Sequence, residues 1–128
     1  MKVLVPISRG RISPLLDVAR RFLLVNVQGV REMVRREVYI DEEGMVPRSI
    51  RIAQLDTDVL ICGAVSRPLE EALASEAVRV IPNTCGPAEE VLEAFRLGQL
   101  TDRAFLMPGC SRQHHQVRGR LRGGNPER

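Results

Sequence analysis

Residues 56–97, DTDVLICGAVSRPLEEALASEAVRVIPNTCGPAEEVLEAFRL, decide the fold class. Val59 to Cys62 is an unbroken apolar run closed by Gly63. It is too short for a helix and is of the kind buried on both faces of a parallel sheet. Val78 to Ile81, with Arg79 within it, makes a second short strand. Between the two, Ser66-Arg67-Pro68 opens a helix: Ser66 is a capping residue, Pro68 suits the first turn, and Glu70 and Glu71 lie at the positive end. Leu69, Ala72, Leu73 and Ala77 are expected on its inner face. Beyond the second run, Pro87 to Leu97 places Ala88, Val91, Leu92 and Phe95 at i, i+3, i+4 and i+7, and Gly98 stops that helix. Strand, helix, strand, helix requires parallel pairing through right-handed crossovers.

Working outward, helical spacing from Pro47 puts Ile50 and Ala53 on one face of an earlier helix that ends before Asp56. Upstream lie three β-branched runs, Lys2 to Ile7, Arg21 to Val27 and Arg31 to Ile40, with a tight-turn signal at Gln28-Gly29 between the last two. The predicted order is β-β-β-α-β-α-β-α, an α/β, ribonuclease H-like layout. Its five-stranded mixed sheet has the order 3-2-1-4-5, with helices on both faces. That order sets the carboxyl ends of the first, fourth and fifth strands side by side, so loops 8–17, 62–66 and 83–87 gather at one crevice.

The chain of 128 residues fits one core, expected over 1–108 and filled by aliphatic residues, since there is no Trp, one Tyr and three Phe. So few aromatic rings argue against single-stranded nucleic-acid platforms, which need exposed rings for stacking. Residues 111–128 hold five arginines against one glutamate, a net of +4 out of the overall +3, which leaves the body at −1. Residues 109–128 are therefore expected to be a basic, disordered tail. No apolar run reaches the roughly 20 residues of a membrane span, and the N-terminal run is broken by Pro6 and Ser8, so a cytoplasmic location is expected. Cys62, Cys85 and Cys110 are an odd set, which suits free thiols or metal ligands better than a disulfide framework.

Each cysteine has two readings. Cys62 closes an apolar strand and is either a small buried hydrophobe or a ligand at the strand's end. Cys85 precedes the helix opening at Gly86-Pro87, where free N–H groups and the helix dipole favour a thiolate. Cys110 follows Pro108-Gly109 in a turn that offers no packing reason for a thiol. Thiolates select soft centres such as iron-sulfur clusters. His114 and His115 are further donors, or idle tail residues. Arg9, Arg11 and Ser13, with Gly63 and Gly86 in the neighbouring loops, form a set suited to an anion through charge-assisted hydrogen bonds. Alternatively the arginines pair with Asp17 or Glu89.

Catalysis finds no support in the sequence. Two-metal phosphodiester cleavage needs carboxylates converging on metals about 4 Å apart, and the first strand, Lys2 to Ile7, carries none. Asp17, Asp41, Asp56 and Asp58 are scattered over predicted loops, and the histidines lie in the tail.

Two segments together resemble one family. Gly10-Arg11-Ile12-Ser13-Pro14 followed by Asp17-Val18-Ala19-Arg20-Arg21-Phe22-Leu23-Leu24-Val25 resembles the opening of the dinitrogenase iron-molybdenum cofactor biosynthesis domain, of the NifX and NifB C-terminal type. Gly86 to Phe95, closed by Gly98-Gln99-Leu100, resembles its final helix. The resemblance implies a non-catalytic domain that holds iron-sulfur or molybdenum-iron-sulfur clusters, or their precursors, between assembly proteins acting as donor and acceptor. Leu15 stands where many members carry a His, so no ligand is carried over there. The competing reading is a small regulatory or interaction module whose cysteines are structural and whose basic tail docks on an anionic partner or nucleic acid.

The missing carboxylates make one prediction. Purified protein incubated with RNA-DNA hybrid in magnesium or manganese leaves the substrate intact. Metal-dependent cleavage that survives repurification and is lost in a single Asp variant would refute the non-catalytic reading.

Overall fold

Four successive buried residues, Val3 to Pro6, make β1 (Lys2–Ser8) the centre of the protein. In this computed structural model, which describes residues 1–100 and 105–107, β1 pairs antiparallel with β3 (Arg21–Gln28) and parallel with β5 (Val59–Ile61). β3 in turn pairs antiparallel with β4 (Arg31–Tyr39), and β5 pairs parallel with β6 (Arg79–Ile81). The sheet is mixed, in the order β4-β3-β1-β5-β6, and it carries one more strand than the sequence announced: β2 (Arg11–Ile12), paired with β1. Pro6 is tolerated in the central strand because it lies beyond the last β1–β5 pair, Leu4↔Leu60. Its carbonyl accepts Ser13 N–H there at 2.9 Å.

Period-two alternation splits the core between the two faces of the sheet. Leu4, Phe22, Leu24, Leu60 and Cys62 point to one side, where α1 (Met45–Gln54) contributes Ile52 and α2 (Arg67–Ser75) contributes Leu69 and Leu73. Val3, Val5, Val25, Val59 and Ile61 point to the other, covered by Val91, Leu92 and Ala94 of α3 (Ala88–Arg96). The architecture is therefore α/β with helices on both faces. Two inner faces differ from expectation. In α1 the buried residues are Arg48, Ser49 and Ile52, whereas Ile50 is 41% exposed, so the helix is rotated by the burial of an arginine. Ala77 is no part of the inner face of α2: it is exposed, past the helix end.

Ala77 stands at φ 64, in the left-handed region. Val78 N–H donates to Leu73 O and Ala77 N–H to Ala74 O, both at 3.0 Å, the paired bonds of a Schellman cap. α3 ends the same way with a glycine in that slot: Gly98 at φ 72, with Gln99 N–H to Ala94 O and Gly98 N–H to Phe95 O. The alanine carries a Cβ penalty that the glycine avoids. Ala77→Gly is expected to stabilise the domain by about 0.5–1 kcal/mol, after the greater freedom glycine gains in the unfolded chain is offset. The urea unfolding midpoint measures it.

Candidate functional site

The carboxyl ends of β1, β5 and β6 are joined by backbone. β1 turns into β2 through Arg9-Gly10 alone, with φ 54 and 78, the two left-handed residues of a type I′ hairpin. Loop 8–17 is therefore no open loop: its first half is a rigid hairpin. That hairpin lies against the start of α3. Ile12 N–H donates to Gly86 O and Ala88 N–H donates to Gly10 O, both at 2.9 Å, with Arg11 bridged to Pro87. On the other flank, Phe105–Met107 runs antiparallel to residues 83–85. Cys85 N–H donates to Phe105 O at 2.9 Å and Met107 N–H to Asn83 O at 2.8 Å. Cys85 thus sits, half-buried and free, between the attachment of the β2 hairpin and that of residues 105–107.

Arg9 and Arg11 are exposed and make no ion pair among the described residues. The acids proposed as their partners are engaged elsewhere. Asp17 accepts Ser66 N–H at 2.8 Å, and Glu89 binds Arg35 at 2.6 Å. Arg35 also holds Glu32, whose carboxyl lies below its usual range chiefly through that hydrogen bond. Among the described residues both arginines are thus left without an ion pair, on a hairpin whose backbone bonds to Gly86 and Ala88, next along the chain from Cys85.

Cys62 is in another place. Strand parity carries its side chain into the α1/α2 core with Leu4, Leu16 and Leu60, at 0% exposure. Burial, then Glu70 and Asp17, push its thiol well above the ordinary range, so it is protonated. In this conformation it packs as a hydrophobe, the first of the two readings its position allowed. Gly63 and Gly86 serve the backbone as well: a Cβ on Gly63 would lie 2.7 Å from both Ser13 O and Pro14 O, and Gly86 stands at φ 123. Ser13 is buried, and its N–H is bound to Pro6 O. Cys110, His114 and His115 lie outside the described residues. Among the described residues no three His, Cys, Asp or Glu side chains form a metal-binding group. None of the described helices is long and apolar enough to cross a membrane.

Arg48, which the sequence reading missed, governs this end of the protein. It is 4% exposed, and its guanidinium donates to Glu42 O at 3.0 Å, to Leu16 O at 3.1 Å and to Ala19 O. Desolvation draws its pKa down, with Asp17 acting in the opposite sense. Its spacing from Ile52, one turn along the same face, was the available signal. The Arg9-Gly10 dipeptide was the signal for the hairpin.

No family model matches the chain, nor does any curated protein sequence. Solved structures share its fold. The protein PH0822 superposes with a TM-score of 0.72 at 19% identity, over 78% of this chain and 93% of its own. A Methanocaldococcus jannaschii protein described as a candidate dinitrogenase gives 0.65 at 16% identity, over 77% and 90%. A Thermotoga protein described as a candidate NifB of the DUF35 family gives 0.62 at 18% identity, over 85% and 98%.

The contact at Gly63 yields a prediction about this end of the sheet. Gly63→Ala forces the 13–14 backbone away from the β5 loop and is expected to cost roughly 1–3 kcal/mol in urea unfolding, the range of an overpacked core. Unchanged stability would show that the two loops do not meet.

Proposed function

We propose that the protein is a non-catalytic carrier for an iron-sulfur or molybdenum-iron-sulfur cluster, or a precursor of one, passed between donor and acceptor assembly proteins. The observation that carries this reading is the Arg9-Gly10-Arg11 hairpin: two exposed cations with no ion pair among the described residues, on a turn hydrogen-bonded to Gly86 and Ala88 in the segment that follows Cys85. Sulfide clusters with thiolate ligands are soft and anionic. A thiol with flanking guanidinium groups meets both properties. Cys110 is the second thiol of the proposed site. It lies outside the described residues and joins the proposal from the sequence, three positions after Met107.

The fold supports the reading from a second direction, because solved proteins of this shape include those described as a dinitrogenase and a NifB candidate. We take the sheet order and its two helical layers as a ribonuclease H-like arrangement used for binding. The cargo is a substrate of this protein, and no reaction step is assigned to the chain.

Anaerobic reconstitution with iron and sulfide tests it, read as iron and sulfide per protein and by the absorption spectrum. Wild type is expected to retain both. Cys85→Ser is expected to lose most of the cluster, and Arg9→Ser with Arg11→Ser to retain it less well, more so as salt is raised, because exposed charges are screened. Equal metal content in all the proteins, including none, removes the reading.

A further inference from the structure

We propose that residues 14–19 form a latch that opens locally, without unfolding of the domain, and bares the Cys62 thiol. The segment leaves β2, runs beside residues 63–66 and crosses the α1/α2 face to reach β3. Three fastenings hold it. Backbone bonds join Leu16 N–H to Ala64 O at 2.9 Å and Ala64 N–H to Pro14 O at 2.8 Å. Asp17 accepts Ser66 N–H at 2.8 Å, at the start of α2. Arg48 donates to the carbonyls of Leu16 and Ala19 from the opposite side. Leu16 and Cys62 belong to one core cluster and are both 0% exposed, and the segment adjoins Cys62 through Pro14 O and Ser13 O against Gly63 and through the Asp17 charge that acts on the thiol.

The third fastening makes this segment a latch rather than a fixed wall. Arg48 is a buried cation with no carboxylate in ion-pair contact among the described residues, and its Nε has no acceptor there. Three carbonyl oxygens, helped at longer range by Asp17 and Glu42, offset its desolvation, which is costly for a full charge. Lifting the segment returns water to the guanidinium, so part of the cost of breaking its bonds is recovered. The sheet does not depend on the segment staying down. Cys62 is held from the β6 side, by its N–H to Ile81 O at 3.0 Å and by Thr84 N–H to its carbonyl at 2.9 Å, and neither bond involves residues 14–19.

Thr84, whose N–H bonds the Cys62 carbonyl, adjoins Cys85, so an uncovered Cys62 would be a further thiol, after Cys85 and Cys110, that cargo could reach. That consequence rests on the carrier reading; the latch itself does not.

The test uses metal-free, full-length protein in which Cys85→Ala and Cys110→Ala leave Cys62 as the sole thiol. Its reaction with an aromatic disulfide reagent is followed at urea concentrations well below the unfolding transition. A latch gives a rate with a urea dependence well below that of global unfolding, because only the surface around Leu16, Ala19 and Cys62 is exposed, and Arg48→Met and Asp17→Ala each raise that rate about ten-fold or more. Should Arg48→Met fail to fold, Asp17→Ala carries the same comparison. Failure to react short of unfolding, a rate with the full urea dependence of global unfolding, or equal rates in all variants overturns the latch. Because no metal is present, such a failure leaves the Cys85 reading standing, just as failed reconstitution would leave the latch standing.

Discussion

The structure depends on one constraint: β1 must be covered on both faces and on both edges. Val3, Leu4 and Val5 are fully buried, and their side chains alternate between the two sides of the sheet. A strand of this kind cannot lie at an edge or face water. Its antiparallel neighbour β3 and parallel neighbour β5 satisfy its backbone, and helices are then required on both sides because neither half of the alternation is polar. The parallel half needs crossovers, and these are the helices that do the covering. From this requirement follows the crevice position too. β1, β5 and β6 run in one direction, so their carboxyl ends and the loops after them come together.

This part was legible in the sequence because it is governed by period and length. The short apolar runs at 59–62 and 78–81, and the capped helices after them, are where the structure has β5, β6, α2 and α3. Ser66 caps α2 as its position suggested, accepting Leu69 N–H. What could not be read were features that depend on a distant partner. β2 is two residues long, and although Arg9-Gly10 signals its turn, the side on which the hairpin lies is fixed by Gly86 and Ala88, more than seventy positions away. The inner face of α1 was misread for a related reason: Arg48 looks solvated in any local window, and only the carbonyls of Leu16, Ala19 and Glu42 make its burial tolerable. Of the candidate site, the arginine hairpin and Cys85 were visible as residue types in the right loops. Their neighbours were not. The parity that turns Cys62 into the core is a property of strand register and could have been counted from Leu60.

Charge is used in two ways in this protein. Arg20, Arg21 and Arg67 make exposed ion pairs, with Arg67 88% exposed, and pairs of this sort contribute little to stability because water and salt compete for them. Arg48 is the opposite case. It is enclosed, it bonds to three carbonyls from three separate residues, and it ties α1 to the chain entering β3. Arg9 and Arg11 belong to neither class. They are exposed and without an ion pair among the described residues, on a hairpin whose backbone is fastened to the start of α3. A hydrogen-bonded turn leaves an incoming anion only the two side chains to order, and not the backbone that presents them.

The same contrast bears on how tightly such a site would hold its cargo. A store for a cluster encloses it with a full set of thiolates and hydrogen bonds to the sulfurs, which slows its loss. Here the described residues offer one accessible thiol and two surface cations, while the second sulfur is locked in the core behind residues 14–19. Few ligands and exposed charges give a hold that is weak and dependent on ionic strength. A carrier needs that, because the acceptor must be able to compete. If residues 14–19 open, the number of sulfurs available changes with the position of one segment, and retention is set by a conformational equilibrium. Arg48 then matters to cargo it never touches, because it sets how much of the time Cys62 is covered.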